Sequence, residues 1–511
     1  MIEQISKNNK HARRMKFFIL PFTVLAVIAI TAALTTLTLH AQSSSSPSDY
    51  DEFEQFFEIY ETLTEEYYQD VDKEALVESA IQGLIEGLDD PYTEFMLPAD
   101  TDQFYESVTG DFEGIGAEVR QEGSYIVIIS PMRGSPAEAA GLEPGDMVTA
   151  VDGESIEGWT ANEAVQLIRG EKGTDVTLTI VRGNNAPTDI TITRDTIHVD
   201  SVTYEEVEGV AHISINRFQE GTTSEFAEAL NAAAADGNTD VILDFRYNPG
   251  GLLNEAVNMI NQFVDRGTDV ILMEDNTGAQ VPLSTMFPKN SSTDDFENIY
   301  ILINEGSASA SEVFAGALDD LMDVEIVGTT SFGKGTVQTI EEYPDQSILK
   351  FTRSKWLTPN GTWVHDVGIT PDIELINPDY YRVTLLNPEE LISEGQENET
   401  VTSLKVAFDA LGYVIEEVND TFDQNLTEQV EAFQESEGLE VTGVVTGDTT
   451  DALVSQLREL ILESDAQLDY LLSYINGEYT ADEIEALALE NAQYIEVIDI
   501  REEMDSEIET E

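Results

Sequence analysis

Between residues 205 and 375, apolar runs of strand length alternate with stretches of helix length: "GVAHISINRF", "TSEFAEALNAAAA", "DVILDF", "GLLNEAVNMINQFV", "IYILIN", "EVFAGALDDL" and "VEIVGTT". Few folds accommodate that order. A βαβ rhythm indicates an α/β layered core, and in such cores the strand ends carry the chemistry. With 511 residues, 41% of them hydrophobic, the chain has material for roughly three to four modules, so this core is one part of a larger architecture.

What precedes the core is read from charge and hydropathy. From Phe17 to Leu39 no side chain is charged, a length sufficient to cross a bilayer and longer than the usual apolar core of a signal peptide. Lys7, Lys10, Arg13, Arg14 and Lys16 stand before it, and because basic residues stay on the cytoplasmic side, the rest of the chain is expected outside. No good Ala-x-Ala site follows near His40-Ala41, which favours a retained single-pass membrane anchor over a cleaved leader and a secreted product. Beyond residue 40 the chain carries 19 basic and 99 acidic side chains. A surface of that sign repels nucleic acid and anionic lipid, and solubility in salty or alkaline surroundings accounts for it without a specific acidic function. Cysteine is absent, which removes disulfides, thiolate chemistry and cysteine-ligated metals. Any nucleophile is oxygen or nitrogen.

After the linker "SSSSPS" at 43–48, Phe53, Phe56, Phe57, Tyr60, Leu63 and Tyr67 recur at helical spacing, and a second helical stretch near 74–88 ends at "DDP". Together they predict a helical arm over residues 50–105, suited to pairing with a second subunit. From about Gly110 to Arg194 short strands and glycine turns take over. Two brief helices open on capping-box patterns at Ser135-Pro136-Ala137-Glu138 and Thr160-Ala161-Asn162-Glu163, with Gly141 and Gly170 as stops. The segments "FEGIGAEV", "GSPAEAAGLEPGDMVTAVDG" and "AVQLIRGEKGT" resemble a PDZ domain, here over 106–195. That resemblance implies that the loop Gly114-Ile115-Gly116-Ala117 captures a peptide's C-terminal carboxylate on backbone N–H groups while the peptide adds a strand to the sheet edge. Arg169 is placed either to reach that carboxylate or to complement its own helix end. Residues 400–460 resemble a small helical peptidoglycan-binding module, carried by Leu411-Gly412-Tyr413, Phe433-Gln434, Gly438-Leu439 and Gly443. The acidic tail over 461–511 has no readable site.

The chemistry is sought in "NEGSASASE" (304–312), a strand-to-helix turn. Ser309-Ala310-Ser311-Glu312 fits a capping box, so helix capping alone explains Ser309. The same place suits a nucleophile, since a helix N-terminus offers unpaired N–H groups to a developing oxyanion. These residues do not choose among Ser307, Ser309 and Ser311. A base must come from elsewhere. His11 and His40 lie in the leader, His212 alternates within a strand, His198 has no supporting motif and His365 sits in a turn, so a histidine triad is poorly supported. "VGTTSFGKGTVQ" (327–338) offers Lys334 instead, between two glycines and with Gln338 at i+4, on the same face of a helix or strand and able to orient the amine. A lysine base needs its pKa lowered by ~3 units, about 4 kcal/mol of disfavoured charge, which burial supplies. Gly328 to Lys334 also match the start of a phosphate-binding P-loop, but Gly335 stands where its Ser or Thr belongs.

Together, "NEGSASASE", "DFRYNPGG", "SFGKGTVQ" and an inserted PDZ module resemble the C-terminal processing peptidases, serine peptidases of family S41, over about residues 50–375. The resemblance implies a multidomain α/β chain: a leader and membrane segment (1–40), the helical arm, the inserted PDZ domain, a βαβ-rich peptidase core (196–385), the peptidoglycan-binding-like module and the tail. It assigns Ser309 as nucleophile, Lys334 as base and Gln338 as its orienting partner. The N–H of Ala310 and that of Gly250 or Gly251 form the oxyanion hole, and no metal or cofactor is required. The expected partners are C-terminal tails of proteins, peptidoglycan, the membrane and a second copy of the chain as a dimer. A non-catalytic PDZ and wall adaptor, and a hydrolase of wall peptides, are the competing expectations.

Overall fold

The computed structural model describes residues 53–183, 185–383 and 386–495. The expected membrane segment lies outside them, and among the described residues no helix is long and apolar enough to cross a membrane. The chain divides into two units at Asp89/Asp90. The first contains the helices Glu54–Glu66 and Lys73–Glu86, the second opened by Asp72, whose carboxylate accepts the N–H groups of Glu74 and Ala75. Neither helix buries a residue, and Phe56 and Phe57 stay exposed. The arm is therefore two amphipathic helices whose apolar stripe has no partner within this unit.

In the second unit β1 (Glu94–Met96) and the helix Thr101–Thr109 precede the PDZ-type module. β2 (Asp111–Gly114) enters it and, across the module, pairs antiparallel with β9 (Asp195–His198), which leaves it. Between them β3 (Ala117–Glu122), β4 (Tyr125–Pro131), β5 (Met147–Val151), β6 (Glu154–Ser155), β7 (Asp175–Val181) and β8 (Thr188–Thr193) form a sheet in the order β3-β4-β5-β7-β8, with β6 on β5. Ile126, Ile128, Val148, Val176, Leu178 and Ile168 fill its core. The capping boxes settle the two helices: Thr160 and Glu163 exchange both bonds, while Ser135 accepts from Glu138 N–H and Glu138 reaches Gly134 instead.

The peptidase core holds β10 (Val202–Val207), β11 (Val210–Ile215), β12 (Asp240–Asp244), β13 (Asp269–Glu274), β14 (Gln280–Ser284), β15 (Asn298–Ile303), β16 (Glu325–Gly328), β17 (Thr336–Glu342), β18 (Ile348–Leu357) and β19 (Ile373–Glu374). β10-β11-β12-β15-β16-β19 make the central sheet, parallel except for β10. Its strands read as continuous apolar runs because both faces are covered. Val241, Leu243, Ile301 and Ile303 face the helices Thr222–Asp236, Leu253–Ile260 and Ala310–Met322. Ile242, Tyr300, Leu302 and Val327, one residue out of phase, face the other way.

What covers that second face is the tail. The helices Ala466–Ile475 and Ala481–Glu490 lay Leu468, Leu471, Leu472, Ile484 and Ala488 against it. This docking is not legible from the residues alone, because an apolar helix stripe does not name the surface it packs on. Between core and tail lies the 399–463 module, three helices around Phe408, Phe422, Leu426 and Phe433. Its Gln434, fully buried, accepts the N–H groups of Thr442 and Gly443 and donates to Thr442, Val444 and Thr449, which fixes the loop after Gly438.

Candidate active site

β15 delivers the chain into the turn 304–308, which the helix Ala310–Met322 follows. Ser307 and Ser311 are fully buried and committed to structure: the Ser307 hydroxyl donates to the Phe245 carbonyl at 2.8 Å, and that of Ser311 to the Asn248 carbonyl at 2.9 Å. Both tie the turn to "DFRYNPGG". Ser309 differs. It is the N-cap, but where a cap ordinarily takes extended backbone, Ser309 holds φ 53° and ψ −109°. Such a conformation costs a side-chain-bearing residue of order 1–3 kcal/mol and persists only where its surroundings impose it.

The surroundings are identifiable. A Cβ on Gly250 would lie 2.8 Å from the Ser309 Cβ and 2.9 Å from the Ala310 nitrogen, so only glycine lets the two turns approach. Asn248 holds its own turn by donating to the Ile215 carbonyl and accepting the Gly250 N–H, while Tyr247 N–H donates to Asn304. Since the Gly250 N–H serves Asn248 here, Gly251 has the freer amide of the two. Ala310, first in its helix, has an N–H with no intrahelical acceptor.

Glu312, fully buried, joins the Ser309 turn to the lysine loop. Its carboxylate accepts the N–H groups of Ser309 (2.8 Å), Gly333 (2.6 Å) and Lys334 (2.8 Å) and the Ser331 hydroxyl (2.6 Å). Burial nevertheless pushes this carboxyl above the usual range. The capping box made Glu312 visible in the sequence; its hold on the lysine loop was not. The glycines flanking Lys334 have separate reasons: Gly333 takes φ 88°, and a Cβ on Gly335 would meet Trp363 Nε1 at 2.7 Å.

Ser309, Ala310, Gly250, Gly251, Lys334 and Gln338 all line one cavity of about 470 Å³, with Phe104, Val108, Phe218, Leu253, Val337 and Trp356 making much of its wall apolar. No hydrogen bond joins the Lys334 amine to the Ser309 hydroxyl in this conformer; the amine stands 4.4 Å from the Tyr92 ring centroid. Burial draws it below the usual lysine range and Lys350 adds to that, against Asp90 and Glu312. The expected pairing of Gln338 with the amine is not made either, since its amide donates to Thr336 and Thr352. The same-face argument fails locally because Lys334 precedes β17 and the register shifts between Val337 and Gln338.

The competing bases stand elsewhere. His212 bridges Glu205 and Asp244, His198 bridges Asp111 and Glu225, and His365 accepts the Gly335 N–H behind the lysine loop. The P-loop reading fails too, because a strand follows "GKG" where a phosphate site needs a helix. In the PDZ-type module, β3 occupies the sheet edge and Gly114-Ile115-Gly116-Ala117 leads into it. Gly116 has φ 72°, and a Cβ there would strike Ser135 at 2.6 Å. Arg169 stands beside this loop but is engaged, donating to Glu106 at 2.7 Å and lying 4.7 Å from the Phe112 ring centroid.

Comparison with known proteins agrees with this architecture. Residues 209–375 match the model of peptidase family S41, 127–182 a PDZ domain, 21–101 the N-terminal domain of the activating protease CtpB, and 397–453 a putative peptidoglycan binding domain. A probable CtpA-like serine protease of Staphylococcus epidermidis is 41% identical over 415 residues, 81% of this chain and 84% of the relative. One from Staphylococcus saprophyticus is 42% identical over 418 residues, 82% and 84%. Among solved structures, the photosystem II D1 C-terminal processing protease aligns over 64% of this chain and 88% of its own at 28% identity, with a TM-score of 0.38. A scaffold with a strained serine at a helix start, glycine amides beside it and a half-buried amine in one cavity is that of a serine-type peptidase. The chain belongs to the CtpA-like C-terminal processing serine proteases of peptidase family S41, with a PDZ domain and a peptidoglycan-binding domain. A purely non-catalytic adaptor is thereby set aside.

Proposed function

We propose that this peptidase is an exported enzyme, held at the membrane by the Phe17–Leu39 segment, that cleaves protein substrates whose C-terminal tails dock in the PDZ groove. The tail adds to β3 with its carboxylate on the Gly114–Ala117 amides, and Arg169 reaches it once its pair with Glu106 opens. The chain then enters the cavity, where Lys334 takes the proton of Ser309 as the hydroxyl attacks a peptide carbonyl, forming the C–O bond of a tetrahedral intermediate. Its oxyanion is met by the N–H groups of Ala310 and of Gly251 or Gly250. Collapse breaks the C–N bond, Lys334 protonates the leaving amine, and a water that it activates releases the acyl group. Gln338 orients the amine after turning from Thr336 and Thr352. The C-terminal module gives the enzyme a hold on peptidoglycan, and the arm a hold on a second subunit.

One observation carries the reading: of three serines in the turn, only Ser309 lines the cavity that Lys334 also lines. Incubation of the soluble part with an unstructured protein, compared with Ser309→Ala and Lys334→Ala, tests it. Cleavage is expected to fall by at least about 10²-fold in each, and equal turnover by all three sinks it. Release of peptides from isolated wall, with protein tails untouched, would favour the wall-peptide hydrolase instead.

A further inference from the structure

The stretch "DDPYTEF" (89–95) ends the arm's second helical stretch in the sequence and has no part in the reading above. In the structure its Tyr92 stands against the Lys334 amine. Asp90 accepts the Tyr92 N–H at 3.1 Å and the Thr93 hydroxyl at 2.6 Å, closing a tight turn. The Thr352 N–H donates to the Thr93 hydroxyl, and β1 pairs with β18 from Glu94↔Lys350 onward, so the turn is stapled to the strand beside β17. The result is a half-buried aromatic ring fixed by backbone, with the Lys334 Nζ 4.4 Å from its centroid.

A ring face at that distance attracts an ammonium and is indifferent to a neutral amine. The other charged groups around the amine divide: Lys350 on β18 opposes its charge, while Asp90 in the same turn and Glu312 at the start of the nucleophile helix favour it. Asp366 and Glu312 also face the Tyr92 hydroxyl, which burial and these carboxylates keep protonated. Against the burial that discharges Lys334, the ring joins Asp90 and Glu312 in favouring the charged amine, and it is the group the amine rests on.

We infer that Tyr92 is a positioning residue, its ring a resting place for the protonated Lys334 that the amine must leave, after losing its proton to solvent, to act as base. This rests on the Ser–Lys reading, but its test reads the amine itself. Competitive acylation of the lysines from neutral to alkaline pH, followed by peptide mass spectrometry, gives the titration midpoint of Lys334 without reference to activity. Tyr92→Phe is expected to leave the midpoint in place. Tyr92→Leu, which keeps the site apolar, is expected to lower it by about 0.4 to 1.5 pH units and to shift the acid limb of kcat/KM with it. Phenylalanine at position 92 carrying successively more fluorine, nearly unchanged in shape, is expected to lower it stepwise and serves if the leucine variant does not fold. A midpoint unmoved or raised in Tyr92→Leu, or flat across the fluorinated series, overturns the proposal. Wild-type cleavage by Lys334→Ala would instead remove the Ser–Lys reading and leave the labelling result standing.

Discussion

The three serines of "NEGSASASE" share a residue type and divide by what surrounds them. Ser307 and Ser311 spend their hydroxyls on the carbonyls of Phe245 and Asn248, while Ser309 faces the cavity in a backbone conformation suited to glycine. That conformation makes a prediction about stability opposed to function. Ser309→Gly relieves a left-handed φ and is expected to gain about 1 kcal/mol while abolishing cleavage. Ser311→Ala is expected to lose about 1–3 kcal/mol, since it removes a buried donor, and to retain cleavage. Thermal unfolding and turnover measured side by side check both; a destabilised Ser309→Gly would mean that the turn is not strained. None of this was legible in the sequence, where the three positions were equivalent until the family resemblance chose among them. Partners such as Phe245, about sixty residues away, are fixed only by the folded chain.

At the scale of elements, strand identity was readable because burial on both faces writes a continuous apolar run, and each run of the 205–375 segment became a strand or helix of the core. The tail was not readable. Leu468, Leu471 and Leu472 mark a helix stripe, but its target, the face presented by Ile242, Tyr300 and Leu302, depends on chain topology. Arg246, at the end of β12, strengthens the docking: its guanidinium meets Asp465 with 2.6 Å contacts from both terminal nitrogens and also pairs with Asp244. Because Leu471 is fully buried in this interface, Leu471→Ala is expected to cost about 2–5 kcal/mol, read as a lower unfolding midpoint in denaturant. A change under about 0.5 kcal/mol would show that the tail does not stabilise the core. Lys334 and Gln338 are an instructive contrast. Their spacing suggested a shared face, yet the loop before β17 and the register shift inside it separate their roles in this conformer.

At the scale of the whole molecule, the PDZ module hangs on the β2–β9 ribbon, the cavity lined by Ser309 and Lys334 opens between the central sheet's strand ends and β17, and the tail that completes the core follows the peptidoglycan-binding-like module. The proposed cleavage at Ser309 of a tail docked at β3 turns on whether Lys334 activates that serine. Intact-mass measurement of labelling by a fluorophosphonate decides this most directly. The wild type should gain a single adduct, mapped to Ser309, faster as pH rises through the lowered titration of Lys334, and Lys334→Ala should slow it at least about a hundredfold. Labelling at the same rate without that amine, or at another serine, would contradict the account.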